Sequence, residues 1–150
     1  MFTDNDIIEG SHYFSAMYMN ETVVKGIGHG PHKHPNPELL VALGTDPANP
    51  QDLGGEFIQC MGEEMEKHVI DKPTIIYIPP NTVHCPFKVT KARRPFIFIQ
   101  AHYGPKLAEQ SQKNLVPADM RDKYVWFDLD GKQKDTYKPK ARSSGAKSKQ

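Results

Sequence analysis

Two histidines one residue apart, a Pro-Asn-Pro reversal and a glutamate follow one another in His32-Lys33-His34-Pro35-Asn36-Pro37-Glu38, and this run confines the chain to a hairpin inside a β-sheet. On an extended strand residues two apart share a face, so both imidazoles point one way and Lys33 the other. Glu38 could not join them along a straight strand, since four residues rise about 13 Å. Pro35 and Pro37 preset φ around an Asn that tolerates the left-handed region, which reverses the chain and blocks both a helix and a central strand. Glu38 then opens the returning strand beside the histidines. A second turn, Ile78-Pro79-Pro80-Asn81-Thr82-Val83-His84, places Pro80 and Asn81 at the central positions of a type II turn and brings His84 back toward the same interior.

The 150 residues suit one domain with one core, and 13 Pro with 11 Gly fit a β-rich chain with many turns. The net charge of +1 hides an asymmetry. Beyond Gly131 seven basic residues stand against Asp135, so the first 130 residues are net acidic. An acidic body argues against nucleic acid as a partner. Two cysteines, Cys60 and Cys85, are too few for a disulfide framework and read as reduced thiols. The N-terminus carries acids where a secretory signal needs basic residues, and no apolar run approaches a membrane span, so the expected location is the cytoplasm with no membrane partner.

Along the chain, strands are expected over 12–19, 21–28, 39–43, 56–61, 65–70, 74–78, 83–90 and 95–102. On the last, Phe96, Phe98, Gln100 and His102 share one face and Ile97, Ile99 and Ala101 the other. Either face could point inward. The loop 44–55 reads as a surface excursion, or alternatively as a lid. Residues 106–114 have the composition of a short surface helix. Tyr124-Val125-Trp126-Phe127 is the compact apolar cluster of the C-terminal third and is expected to dock on the sheet structure; the lysine-rich stretch 131–150 has nothing to bury and is expected to be disordered.

Gly26, then His32-x-His34, Glu38 and Gly44 resemble the first cupin motif, and Pro79-x-Asn81-x-x-His84 resembles the second. The likeness covers residues 22–102. It departs from the pattern where Gly44 comes one residue early, where Asn81 and Pro73 replace Gly, and where Lys88 replaces Asn; no ligand is lost. The resemblance implies an all-β fold, a small double-stranded β-helix (jelly-roll) barrel with a short C-terminal extension. On this reading residues 1–130 form a single domain, with 103–130 docked on the barrel. It also implies a homodimer, with 12–19 as an edge or exchanging strand.

By the same resemblance His32, His34, Glu38 and His84 bind one divalent metal. Three imidazoles and a carboxylate suit Mn, Fe, Co, Ni or Zn over Ca or Mg. The set carries about +1 with a divalent ion and leaves two positions open in six-coordinate geometry, which suits a small anionic or oxygen-rich substrate. The expected function is that of a metal-dependent enzyme, an oxidoreductase of dioxygenase type with iron among the fitting ions. A lyase, decarboxylase or isomerase, and a non-catalytic binding module, are the alternatives. His102, Gln100 and Tyr18 are the candidate catalytic residues. His29 near the clamp is a further acid–base or supporting candidate, while Cys85, next to a ligand, is expected to point out of the pocket as an inert packing thiol.

Overall fold

The computed structural model describes residues 1–24 and 28–131; Gly26 of the first motif and the tail from 132 onward lie outside the described residues. Two sheets, antiparallel except for one short parallel pair in the second, face each other. The first is built from β1 (Phe2–Thr3), β2 (Tyr13–Met19), β5 (Glu38–Leu43), β8 (Thr74–Ile78) and β10 (Phe96–His102), in the spatial order β1-β2-β10-β5-β8. The second contains β3 (Gly28–His29), β4 (His32–Lys33), β6 (Gly55–Met61), β7 (Glu66–Ile70), β9 (His84–Ala92), β11 (Ala108–Ser111), β12 (Tyr124–Val125) and β13 (Leu129–Asp130). Within it β9 is central, since β3, β4 and β6 all pair with it. The expected all-β architecture is what the chain adopts.

Register sets what meets inside. His102 on β10 lies opposite both Glu38 on β5 and Tyr13 on β2, Gln100 opposite Leu40 and Ser15, and Phe98 opposite Ala42 and Met17. The face carrying Phe96, Phe98, Gln100 and His102 is therefore the inner one. At the far end Phe57, Phe96 and Leu53 are fully enclosed, with Leu40, Val89 and Phe98 packed around them. The Phe57 ring lies 6.0 Å from Phe96 and 5.7 Å from Phe98, the second contact edge-on. Leu53 ends the 44–55 loop, whose Asp46 and Asp52 pair with Arg94 and Arg93 at this same end.

The outer faces of the two sheets differ. On the first, Phe14, Ala16 and Tyr18, then Ile97, Ile99 and Ala101, then Leu39, Val41 and Leu43, then Ile75 and Tyr77 lie side by side across four strands. Tyr18, Ile75 and Tyr77 are more than half exposed. On the second, Glu66, Lys67, Lys88 and Lys91 face solvent.

Two segments depart from expectation. Residues 106–114 contain β11 and a short 3-10 turn, Lys113–Leu115, instead of a helix. Pairing with β4, Gln110 opposite Lys33 and Ser111 opposite His32, outweighs the local helix preference. Instead of a strand throughout 21–28, Glu21–Val24 make one helical turn, started by Asn20, whose side chain accepts the Thr22 N–H at 3.0 Å. Tyr124 and Val125 pair in parallel with β3, and Trp126 covers Gly30 so closely that a Cβ there would fall inside its ring.

Candidate metal centre

The two predicted turns deliver their side chains to one point. Asn81 sits in the left-handed region at φ 60°, the Thr82 N–H closes the turn on the Pro79 carbonyl, and the Asn81 N–H bonds the His34 carbonyl at 2.7 Å, tying the second turn to the first hairpin. His32 and His84 are then direct partners across β4 and β9. His32, His34, Glu38 and His84 are each less than 5% exposed.

The protons on these rings are settled by carbonyls. His32 Nδ1 is 2.8 Å from the Gly30 carbonyl, His34 Nδ1 2.6 Å from the Ala108 carbonyl and His84 Nδ1 3.1 Å from the Thr82 carbonyl. A carbonyl only accepts, so each Nδ1 carries an N–H, and Nε2 is the atom each ring turns toward the cluster. Those three nitrogens lie within 4.8 Å of one another. Glu38 Oε2 is 3.1 Å from His84 Nε2 and 3.6 Å from His34 Nε2. His34 Nε2 is buried with no hydrogen-bond partner, and the buried Glu38 carboxylate is enclosed by ring nitrogens of His34, His84 and His102. Imidazoles and a carboxylate gathered in a dry pocket are a donor set able to bind a metal ion.

The surroundings disfavour the charged form of two of the rings. Burial, and then the imidazoles of His84, His29 and His34, keep His32 far below the usual imidazole range. Burial likewise lowers His34 to about 4, against the opposing pull of Glu38. Burial alone would raise Glu38, but the close His102 and His84 rings override it and hold the carboxyl below its ordinary range. His102 Nε2 is 2.9 Å from Glu38 Oε1, and its ring stands edge-on to His34 at 4.4 Å.

A cavity of about 170 Å³ adjoins the cluster. Its wall includes His29, His32, Glu38 and His84 on the polar side, Met17, Leu40 and Phe98 on the apolar side, and the amides of Gln59 and Gln100 between them. Gln100 accepts a hydrogen bond from Ser15 Oγ at 3.2 Å through Oε1, which leaves its NH₂ for a ligand.

Of the candidate catalytic residues, Gln100 reaches the cavity and His102 stands behind Glu38. Tyr18 does not reach it: alternation along β2 puts it on the outer face, 68% exposed. Cys85 is also displaced from expectation. It lines the cavity together with its neighbour His84, because its φ of 66° breaks strand alternation there. It remains inert in character, buried, with burial pushing its thiol up. Glu109 is the residue that sequence reading missed. It is buried on β11, with Oε1 2.7 Å from His29 Nε2 and Oε2 3.9 Å from His32 Nε2.

No family model and no curated protein matches the chain. Among solved structures, an oxalate oxidase in complex with the substrate analogue glycolate superposes with TM-score 0.50 at 13% identity, over 79% of this chain and 57% of that one. The chain has the cupin fold. An oxalate decarboxylase structure matches with TM-score 0.49 at 12% identity, over 79% of this chain and 30% of that one. The DMSP lyase DddQ from Ruegeria pomeroyi matches with TM-score 0.43 at 19% identity, over 69% and 44%. The chain thus spans little more than half the length of the oxalate oxidase structure it superposes on.

Proposed function

We propose that the chain is a metal-dependent enzyme acting on a small anionic or oxygen-rich molecule, with His32, His34, Glu38 and His84 as ligands to one divalent transition ion. The observation that carries this reading is the gathering of three buried imidazoles, each bonded through Nδ1 to a carbonyl, around a buried carboxylate at the wall of a cavity. A bound divalent ion would supply Lewis acidity and, where it is redox-active as iron is, would relay electrons from the substrate to dioxygen. The rest falls to the protein. The Gly30, Ala108 and Thr82 carbonyls fix the three ring tautomers, His102 holds Glu38 in place, and the Gln100 amide donates to a ligand oxygen. Met17, Leu40 and Phe98 keep the ligand's other side dry.

The test is an oxygen-uptake screen of the iron-loaded chain against small organic acids and phenols. Uptake that depends on both metal and substrate supports oxidase or dioxygenase chemistry. Turnover without uptake points to a lyase, decarboxylase or isomerase, and tight binding without turnover to a binding module. The buried free thiols Cys60 and Cys85 suit the reducing cytoplasm. Among the described residues no helix is long and apolar enough to cross a membrane.

We also infer a homodimer, formed by the apolar outer face of the first sheet on a second copy of itself. Among the described residues the rows that four strands contribute to this face are apolar or aromatic. At about 150–200 Å² per large side chain, its exposed fractions amount to on the order of 600 Å², near the roughly 800 Å² per partner of a standard interface. Tyr18→Glu with Ile75→Glu should convert a dimer to a monomer in analytical ultracentrifugation while leaving metal content unchanged. A wild-type chain that sediments as a monomer at about 100 µM overturns the inference.

A further inference from the structure

Glu38 and Glu109 are both deeply buried, the side chains of each only 1% exposed, and among the described residues their ion-pair partners are histidines. A carboxylate buried in a dry interior costs several kcal/mol unless positive charge offsets it. The two motifs contribute only one of these two carboxylates. Glu109 comes from β11, which pairs with β4 and so brings it alongside His32. His29 holds one of its oxygens at 2.7 Å and stacks on His32, ring centroids 4.1 Å apart, leaving the other oxygen turned toward His32 Nε2 at 3.9 Å. Two ligand atoms each about 2.1 Å from a common ion stand at most about 4.2 Å apart, so that separation is within reach of one ion.

We propose that Glu109 is the second carboxylate of the cation site, positioned by His29, so that a divalent ion beside His32 is balanced by the protein's own charges. His32 has a single free nitrogen, so His29 and Glu109 extend the existing site and do not form an independent second one. The proposal rests on the metal reading above and changes its charge balance. With the Glu38 set alone the bound ion leaves the site near +1; with Glu109 it is near neutral. Recognition of an anion then falls more to hydrogen bonding from groups such as Gln100 than to net charge.

The experiment compares the full-length wild-type chain with Glu109→Gln, each stripped with a chelator and then titrated with Mn²⁺, following the dissociation constant and the melting temperature. The variant should bind Mn²⁺ about 10- to 100-fold more weakly, the usual cost of altering a group that supports a metal site. Its metal-free melting temperature should rise, because an uncompensated buried charge is gone, and its gain on loading should shrink. If Glu109 merely props up His29, the melting temperature falls in both forms and Mn²⁺ affinity stays within about twofold; that result overturns the proposal. His29→Gln, which keeps a donor to the carboxylate, should weaken Mn²⁺ less than Glu109→Gln does, and an equal or larger loss contradicts the assignment of His29 as a positioning residue. Should Glu109→Gln fail to fold, Glu109→Asp withdraws the carboxylate by one methylene, and at least fivefold weaker Mn²⁺ binding supports the proposal where unchanged binding overturns it. A wild-type chain that takes up no divalent ion overturns the metal reading itself, whereas normal wild-type uptake with an insensitive Glu109 removes only this inference.

Discussion

The inward residues of each long strand run from polar at one end of the barrel to apolar at the other. On β10 they read His102, Gln100, Phe98, Phe96; on β5, Glu38, Leu40, Ala42; on β2, Tyr13, Ser15, Met17, Met19. Antiparallel register aligns the gradients, so the same strands build a phenylalanine end around Phe57 and Leu53 and a histidine end around His32, His34 and His84. The phenylalanine end gains free energy from burial as soon as the sheets close. The histidine end buries imidazoles and carboxylates instead, and on our proposal an entering cation offsets their desolvation cost. On that proposal one half carries the fold and the other the function, which makes the two separable by mutation.

The largest effect expected is on metal. His84→Ala should lose most of the bound ion while keeping the far-ultraviolet circular dichroism of the parent; retained metal by elemental analysis would mean that His84 is not a ligand. Next comes Phe57→Ala at the other end, where truncating a fully enclosed phenylalanine costs about 3–5 kcal/mol in denaturant unfolding. The surviving folded fraction should still bind metal with parental affinity. A variant that lost affinity as well would show that the two ends are coupled.

A smaller effect should appear on acidification of the metal-free protein. His34 is lowered from 6.5 to about 4 in the folded chain, so between those values the unfolded chain binds the extra proton and the folded one resists it. Stability is then full above pH 6.5 and declines as pH falls toward 4, by on the order of 3 kcal/mol from this group. Urea midpoints at pH 7, 5.5 and 4 measure it, and His34→Gln should flatten the slope. The mildest test is Gln100→Leu, which should leave metal content and stability near parental but weaken small-anion binding by about 1–2 kcal/mol in calorimetry, the loss of one polar contact.

The two hairpins were legible in the sequence because their information is local: ligand spacing, proline-set turns and an Asn able to take positive φ at 81. The site's outer partners were not. Glu109 lies among Leu107, Ala108 and Gln110, residues that favour a helix in isolation, and only pairing with β4 turns the segment into a strand that faces inward. Cys85 reaches the cavity through a backbone conformation that alternation does not anticipate. The inner face of β10 could not be chosen from sequence, because Ile97, Ile99 and Ala101 are as apolar as any buried row; the structure leaves them on an outer face that we assign to a second copy. Tyr18 was misplaced for the same reason, since its aromatic neighbours belong to that outer row.

The central claim is that the histidine end exists to hold an ion. Elemental analysis of the full chain, purified anaerobically without chelators or an affinity metal, measures this directly. Close to one divalent transition ion per chain is expected, released by a strong chelator and restored on adding it back. Fewer than about one ion in ten chains, with none taken up on titration, would contradict it.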